Sequence, residues 1–238
     1  MNMPARHQGR VRPFLEKNTF LGKLPVGVID RLINAGQVRT FARGVAIYRR
    51  GDPGESLILV VSGRVRLGNI SSRGKEIVHF YVAAGETVGD VAALDGMPRA
   101  ADAWASEDAE VFIIPMRELL PQLKAHPDAL YEVVRALCAK IRLAVTMIED
   151  NTLEMRSRTA RGLLRLALRH GRRDGSGEPL RLTITQEELG KVLDMSRANV
   201  NRQLGHLKSA GVIRISGTDI SIVDEPELAA LAEADEAD

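Results

Sequence analysis

Two hydrophobic periods divide the chain. Between residues 40 and 115, apolar and polar side chains alternate, as in SLILVVSGRVRLGNI and EIVHFYV, and glycines fall between the runs. Short alternating segments with a turn signal about every 8–12 residues are typical of a β-sandwich or barrel. We therefore predict that this part of the chain forms a β-roll.

The period changes to that of a helix after Pro115. Apolar residues recur at alternating spacings of four and three residues, and neither proline nor glycine occurs from 128 to 161. This repeat predicts a long helix over 127–155 that packs against a second copy of itself. The alternative is a helix packed on its own sheet, but a seam of this length exceeds what one small barrel covers. The seam residues are Leu130, Val134, Leu137, Ile141, Ala144, Ile148, Asn151 and Met155.

Two residues at or beside this predicted seam differ from its large aliphatic side chains. Asn151 lies on the seam, and a single polar residue at such a position sets the register of a coiled coil. Cys138 lies beside the seam and is expected to be an inert, packed thiol. The pattern as a whole favours a homodimer joined along this helix.

The segment after the seam has the pattern of a winged helix-turn-helix. A helix over 158–170 is followed by a strand, by helices over 185–193 and 196–209, and by two strands that a Gly-Thr turn joins. Thr185 and Glu188 have the spacing of a capping box, and Ser196 can cap the second helix.

The outward face of that second helix carries side chains that can read DNA bases. Arg197, Asn201 and Arg202 lie on it, with Asn199 and Gln203 beside them. Arginine pairs with guanine and asparagine with adenine, each through two hydrogen bonds in the major groove. We therefore predict that the helix pair binds double-stranded DNA. The alternative is a helix pair that docks on a protein.

Charge is distributed unevenly along a chain whose net charge is only +2. Residues 155–223 carry 13 Lys and Arg against 6 Asp and Glu. Residues 224–238 carry 7 acidic residues and no basic residue, which predicts a frayed helix or a disordered acidic tail. The basic segment favours a nucleic-acid partner, although a solvated arginine-rich surface has the same composition.

Composition excludes several classes of protein. The single cysteine excludes an intramolecular disulfide and cysteine-based metal sites, and the five histidines lack metal-ligand spacing. We therefore predict no metal, and no grouping of side chains suggests an enzyme. The longest apolar run, LILVV, is too short to cross a bilayer, and the N-terminus lacks a secretory pattern. These features indicate a cytoplasmic protein with no membrane partner.

The segment GDVAALDGMPRAA interrupts the alternation of the β region. A short helix that starts near Gly89 would direct backbone N–H groups at an anion. Arg99 would offer paired donors to a phosphodiester, and the small Ala100 would allow a close approach of the backbone. Asp90 would accept a hydrogen bond from a ribose hydroxyl. The alternative is a structural arginine that pairs with Asp90 or Asp102.

The order of these parts resembles the cyclic AMP receptor protein/fumarate–nitrate regulator family of bacterial transcription regulators. The resemblance covers about residues 20–223. It implies an α+β chain: an N-terminal arm and double-stranded β-helix (jelly-roll) effector domain over 1–126, a dimerisation helix over 127–155, a winged helix-turn-helix over 156–223 and an acidic tail over 224–238. The family's DNA motif matches at Thr185, Glu188, Gly190, Leu193, Ser196, Arg197, Val200 and Arg202.

The resemblance implies partners and contacts for the DNA-binding part. The partners would be a second copy of the chain, a palindromic operator and RNA polymerase. Arg197 and Arg202 would read guanines, whereas Thr185, Gln186 and Ser196 would contact the DNA backbone. Ala198 replaces a glutamate of the family, which removes an acceptor for cytosine. The expected DNA-binding residues are Thr185, Gln186, Ser196, Arg197, Asn199, Asn201 and Arg202.

The interrupting segment resembles the phosphate-binding cassette of cyclic-nucleotide domains. This implies cyclic AMP or cyclic GMP as the effector, and no other cofactor. Asp90 replaces the usual glutamate, Ala100 replaces a serine of bacterial receptors, and Leu143 and Ala144 replace a Thr-Ser pair that faces the base, with Thr146 the nearest hydroxyl. The expected ligand contacts are Gly89, Asp90, Val91, Ala92, Arg99, Ala100, Leu143, Ala144 and Thr146.

Three functional hypotheses follow. The first is a transcription regulator whose helix-turn-helix pair is reoriented by a cyclic nucleotide about a hinge near Leu153–Arg158. The second is a member of the same family that needs no ligand or responds to a different one. The third is a cyclic-nucleotide module whose basic domain binds a protein.

Overall fold

The computed structural model describes residues 5–71, 74, 76–173, 175 and 178–234. Its contacts separate into two compact units, residues 1–142 and residues 143–238. Within the described ranges, no helix combines the length and the apolar character that crossing a membrane requires.

Eight strands lie in the described part of the first unit: β1 (Gln37–Phe41), β2 (Ala46–Tyr48), β3 (Ser56–Ser62), β4 (Arg64–Ile70), β5 (Glu76–Ala83), β6 (Thr87–Val88), β7 (Asp102–Ala105) and β8 (Ala109–Pro115). They form two antiparallel sheets, ordered β1-β8-β3-β6 and β2-β7-β4-β5. Ile58, Val60, Val65, Val82 and Val111 are buried together in one apolar cluster. The predicted jelly-roll is confirmed, because the alternating residues of both sheets supply this core.

Two α-helices precede the roll, α1 (Ala5–Lys17) and α2 (Val26–Ala35), with a turn of 3-10 helix (Leu21–Lys23) between them. They pack on the first sheet, where Leu15 and Leu32 share a buried cluster with Leu59 of β3 and Phe112 of β8. The sequence pattern predicts only an N-terminal arm here. The sequence does contain a helical signal, because the apolar residues Val28, Ile29, Leu32 and Ile33 are spaced to share one helix face. All four are buried in α2.

Three more helices begin in the first unit: α3 (Asp90–Asp95), α4 (Met116–Ala125) and α5 (Pro127–Asp150). Of these, only α5 extends past residue 142 into the second unit. The long helix predicted over 127–155 is present, but it ends five residues before 155, and its packing against a second copy stays a prediction. The Thr152 hydroxyl donates to the Glu149 carbonyl at 2.8 Å, and the Asn151 N–H bonds the Ile148 carbonyl. These local bonds replace helical ones, so the prediction of Asn151 and Met155 on this helix is wrong.

The apolar seam of α5 is open in the single chain. Val134, Ile141 and Ile148 are 48%, 63% and 68% exposed. Cys138, which was expected to be packed, is exposed as well. A row of large aliphatic side chains exposed along one helix face is typical of a surface that binds another protein.

The second unit contains three helices, a three-stranded sheet and a final helix within its described residues: α6 (Met155–His170), β9 (Leu180–Thr183), α7 (Gln186–Leu193), α8 (Arg197–Ser209), β10 (Ile213–Ser216), β11 (Asp219–Ile222) and α9 (Glu225–Glu233). The sheet order is β10-β11-β9, so the predicted wing hairpin lies beside β9. Leu163, Leu189, Val200 and Leu204 are fully or almost fully buried. The expected winged helix-turn-helix is confirmed.

The acidic segment after 224 is an ordered part of this unit. The Asp224 side chain caps α9 by accepting the Glu227 N–H, and Leu228 and Leu231 are buried. Arg161 of α6 donates to the Ala232 carbonyl from Nε and Nη2, at 3.2 and 3.1 Å. The expectation of a frayed or disordered tail is therefore wrong for 224–234. Residues 235–238 lie outside the described part of the chain.

Asp150 ties the end of α5 to α6. It is only 3% exposed, and its carboxylate pairs with Arg165 and lies 3.7 Å from Nη1 of Arg161. We call residues 150–155, which join the two helices, the elbow. Arg161 also bonds the Ala232 carbonyl, so this one residue links the elbow to α9.

Leu228→Ala tests whether α9 is part of the folded unit. Leu228 has no exposed surface, so we expect a loss of about 2–5 kcal/mol in the free energy of unfolding, measured by urea denaturation. Leu168→Ala is the matched control, because Leu168 is 65% exposed and should change stability by about 0.5 kcal/mol or less. Equal effects of the two substitutions would contradict the packing of α9.

Candidate functional site

The interrupting segment of the roll is held by backbone hydrogen bonds. Gly89 caps α3 in the left-handed region, with φ of 79°. The Arg99 N–H donates to the Asp52 carbonyl at 2.8 Å, and the Arg99 carbonyl accepts from the Gly51 N–H at 2.9 Å. Gly54 packs so closely that a Cβ there would lie 2.5 Å from the Ala92 carbonyl oxygen. The segment, which we call the cassette (residues 89–101), is thus fixed against the turn before β3.

Arg99 lies at the centre of the cassette and is only 4% exposed. Its Nη1 donates to the Gly89 carbonyl at 2.7 Å, and its Nη2 donates to the Ser56 carbonyl at 2.7 Å and to Ser56 Oγ at 3.0 Å. The guanidinium also lies over the Tyr48 ring, 4.5 Å from the centroid. Its Nε is buried without a hydrogen-bond partner among the described residues.

Burial sets the electrostatics of this arginine and its aromatic neighbour. Desolvation lowers the pKa of Arg99, while the nearby Tyr48 and the carboxylates of Asp52 and Asp90 oppose that shift. Desolvation also raises the pKa of the Tyr48 phenol, so that group stays neutral. A charged, buried guanidinium that rests on a neutral ring is stabilised by the ring's quadrupole.

The two carboxylates that were considered as partners of Arg99 bond other groups. Asp102 accepts the Arg50 N–H at 2.9 Å. Asp90 accepts the Val91 N–H at 3.2 Å through Oδ1, and its Oδ2 lies 2.5 Å from Nζ of Lys140 on α5. Lys140 is not among the residues predicted from the sequence, since it lies 50 positions from Asp90 and no local pattern connects the two residues.

The other expected ligand contacts fall into two groups. In the cassette, Ala92 is buried, Val91 is 48% exposed and Ala100 is exposed. Leu143, Ala144 and Thr146 follow Lys140 on α5, but they belong to the second unit. Their contact with a ligand stays a prediction.

No group of three His, Cys, Asp or Glu side chains in the described part of the chain is arranged to hold a metal ion. His79 is a strand residue whose Nε2 lies 3.1 Å from Asn69 Nδ2. Burial lowers the pKa of His79, as expected for a packed neutral imidazole.

Capping residues position the helix pair of the second unit. Thr185 Oγ1 accepts the Glu188 N–H at 3.1 Å, and the Glu188 carboxylate accepts the Thr185 N–H at 2.9 Å, which is the predicted capping box. Asp194 ends α7 in the left-handed region, with φ of 52°. Ser196 Oγ accepts the Asn199 N–H at 3.2 Å and so starts α8.

One face of α8 is exposed at the positions expected to read DNA. Arg197, Asn201 and Arg202 are exposed, and Arg202 donates to the Asn199 side chain at 3.0 Å. Gln203 is only 8% exposed, so the expectation that it lies beside the readers is wrong. Its position three residues after Val200 and one before Leu204 turns it toward the core. Of the predicted backbone contacts, Ser196 is exposed and Thr185 and Gln186 are partly exposed.

Two protein-family models match the chain. A cyclic nucleotide-binding domain matches residues 38–126, which include the whole roll after the start of β1 and the cassette. A Crp-like helix-turn-helix domain matches residues 157–231, which extend into α9.

Individual proteins are similar over most of the chain. The cyclic AMP receptor protein of Thermus thermophilus is 30% identical over 195 residues, which cover 82% of this chain and 87% of that protein. Electron transport regulator A of Shewanella oneidensis is 31% identical over 198 residues, covering 80% and 76%. The chain belongs to the cyclic AMP receptor protein/fumarate–nitrate regulator (CRP/FNR) family. The family consists of transcription regulators that bind DNA through the helix-turn-helix, and not of enzymes.

A solved CRP-family structure agrees with this assignment. A transcriptional regulator of the CRP family from Thermus thermophilus has a TM-score of 0.67 and 28% sequence identity, and the match covers 82% of this chain and 96% of that one. In this CRP/FNR protein, the cassette and α8 therefore occupy the effector-binding and DNA-binding domains of the family.

Gly89→Ala tests the close packing of Arg99 in the cassette. A Cβ at Gly89 would lie 2.2 Å from Arg99 Nη1 and would also require a left-handed alanine. Gly96→Ala is the matched control, because Gly96 has a similar φ of +73° and open space around it. We expect a loss of about 1–2 kcal/mol for Gly96→Ala in urea unfolding, and about 1–3 kcal/mol more for Gly89→Ala. Similar losses would mean that Arg99 is free to move away.

Proposed function

We propose that the protein is a homodimeric transcription regulator whose DNA binding is controlled by cyclic AMP or cyclic GMP. The match of a cyclic nucleotide-binding domain to residues 38–126, with Arg99 buried at the centre of the cassette, carries this proposal. The dimer would bind a palindromic operator with its two α8 helices about 34 Å apart, one turn of DNA.

The chemistry of Arg99 supports a phosphate ligand. Three of its hydrogen bonds go to Gly89 and Ser56, but Nε is buried without an acceptor among the described residues. A buried donor without a partner costs free energy, and a phosphodiester oxygen beside it would supply the missing acceptor. Ligand binding would then stabilise a group that the ligand-free roll leaves unsatisfied.

The exposed face of α5 supports the homodimer. Val134, Ile141 and Ile148 follow the heptad spacing and are largely exposed in one chain. A second copy placed in parallel would bury this row on both sides of a two-fold axis. The same dimer would present two recognition helices, and RNA polymerase would be the further partner of a regulator bound beside a promoter.

The second candidate is a CRP/FNR regulator that responds to another effector or to none. Leu143 and Ala144 lack the hydroxyls expected near the base, and Asp90 is already paired with Lys140. The third hypothesis, a basic domain that binds protein, has weaker support, because a Crp-like helix-turn-helix model matches residues 157–231.

Calorimetric titration of the full chain with cyclic AMP and with cyclic GMP tests the effector. We expect at least one nucleotide to bind, and Arg99→Lys to weaken it about tenfold or more, since lysine keeps the charge but loses the planar fork. Arg117→Lys is the control, because the Arg117 side chain is 82% exposed. Absence of binding at high micromolar nucleotide would favour the second candidate.

Arg197→Ala tests the recognition helix. Once an operator has been selected from random DNA, we expect the substitution to cost about 1–3 kcal/mol and to relax the preference at one base pair. Lys208→Ala, an exposed position in the last turn of α8, should leave the preference unchanged. An equal loss on all sequences with Arg197→Ala would mean that Arg197 contacts only phosphate.

A further inference from the structure

The ion pair between Asp90 and Lys140 occupies the carboxylate that was expected to bind a ribose hydroxyl. The side chains of Asp90 and Lys140 are 11% and 29% exposed, and Nζ lies 2.5 Å from Oδ2. Oδ1 of the same carboxylate accepts the Val91 N–H. Both oxygens of Asp90 are thus bonded within the chain itself.

The ion pair between Lys140 and Asp90 connects two separate helices. Lys140 lies on α5, whereas Asp90 is the first residue of α3 and follows the glycine that bonds Arg99. Nζ also lies 3.5 Å from the carbonyl oxygen of Thr87, on the strand before the cassette. The ammonium therefore fastens α5 to the start of α3 and to the strand before it.

We propose that Lys140 competes with the effector for Asp90 and so determines how much the 2′-hydroxyl of a nucleotide contributes to its affinity. We call the ion pair between Lys140 and Asp90 the latch. This inference rests on the proposed cyclic-nucleotide effector. The latch is closed in the structure described here, and a ribonucleotide opens it when its hydroxyl takes the place of the ammonium.

The competition is unequal for a physical reason. A partly buried carboxylate is stabilised more by an ammonium than by a neutral hydroxyl, because the ammonium supplies both a hydrogen bond and an opposite charge. A ribonucleotide that displaces Lys140 therefore loses this ion pair in exchange for one neutral hydrogen bond. The two contributions nearly cancel, so the wild-type site gains little from the hydroxyl.

Lysine is suited to such a displaceable contact. Its ammonium is a compact, strongly hydrated charge on a flexible stem, so it can leave Asp90 for water without a change in the backbone. Release of Lys140 also removes one of the contacts between α5 and the roll of the first unit. Occupancy of the cassette is thereby coupled to the helix that carries the apolar seam.

The test compares a cyclic nucleotide with its 2′-deoxy analogue, in calorimetric titrations of the full chain. Either cyclic AMP or cyclic GMP is used, whichever binds more tightly. In the wild type, the ratio of the two dissociation constants should be near one. In Lys140→Met, the ribonucleotide should bind about tenfold more tightly and the deoxy analogue should change little, so the ratio rises to about ten. Adding Asp90→Ala to Lys140→Met should return the ratio to near one, because alanine offers no acceptor to the 2′-hydroxyl.

Lys124→Met is the matched control, because Lys124 is an exposed lysine in the last turn of α4. It should leave both dissociation constants unchanged. If Lys140→Met weakens both nucleotides equally, Lys140 binds the phosphate and the latch is wrong. An unchanged ratio with intact binding also overturns the latch, but it leaves the proposed effector standing. No binding in any variant overturns the effector and the latch together, whereas binding gained only in Lys140→Met supports both.

Amine labelling gives a second readout. In the full chain, acetylation of Lys140, followed by mass spectrometry, should be slower than that of Lys124. Cyclic nucleotide should accelerate acetylation at Lys140 alone, and Asp90→Asn should accelerate it without ligand. A rate at Lys140 that neither the nucleotide nor Asp90→Asn alters would overturn the latch.

Discussion

A guanidinium buried among β-strands must have acceptors, and Arg99 takes them from separate parts of the roll. It bonds the carbonyl before α3 and the carbonyl at the start of β3, and it lies on the ring of Tyr48 in β2. β2 and β3 belong to different sheets, so one side chain connects both sheets to the cassette. The left-handed Gly89 follows from this arrangement, because a side chain there would collide with Arg99. The cassette is thus built around a charge that the fold already requires.

Local signals explain what the sequence predicted well. The alternation of the strands, the capping box of Thr185 and the spacing of Val200, Leu204 and Leu207 each act within a few residues. Two wrong predictions, the end of α5 and the disordered tail, come from segments where two sequence signals conflict. The heptad spacing continues to 155, but the Thr152 hydroxyl bonds the chain and ends α5. The acidic composition after 224 predicts a disordered tail, but α9 packs against α6 and buries Leu228 and Leu231.

The candidate site shows a sharper limit. The cassette was recognisable from its own residues, yet the partners of Arg99 and Asp90 were not. Ser56 lies 43 positions from Arg99, and Lys140 lies 50 from Asp90. Contacts of that length depend on how sheets and helices come together, and one sequence contains no local pattern for them. The substitution of the usual glutamate by aspartate at 90 was visible, but the lysine that accompanies it became evident only in the fold.

The elbow also has a consequence for how the protein responds to its solvent. Asp150 is buried and its two arginine partners, Arg161 and Arg165, are only partly exposed, and dissolved ions screen such a pair much less than a fully exposed one. Attraction between exposed arginines and DNA phosphates, in contrast, falls steeply as salt rises. A rise in salt concentration would therefore weaken DNA binding well before it weakens the ion pairs between α5 and α6. Adaptation of the protein to higher salt would have to act on the surface of the second unit, while the joint remains as it is.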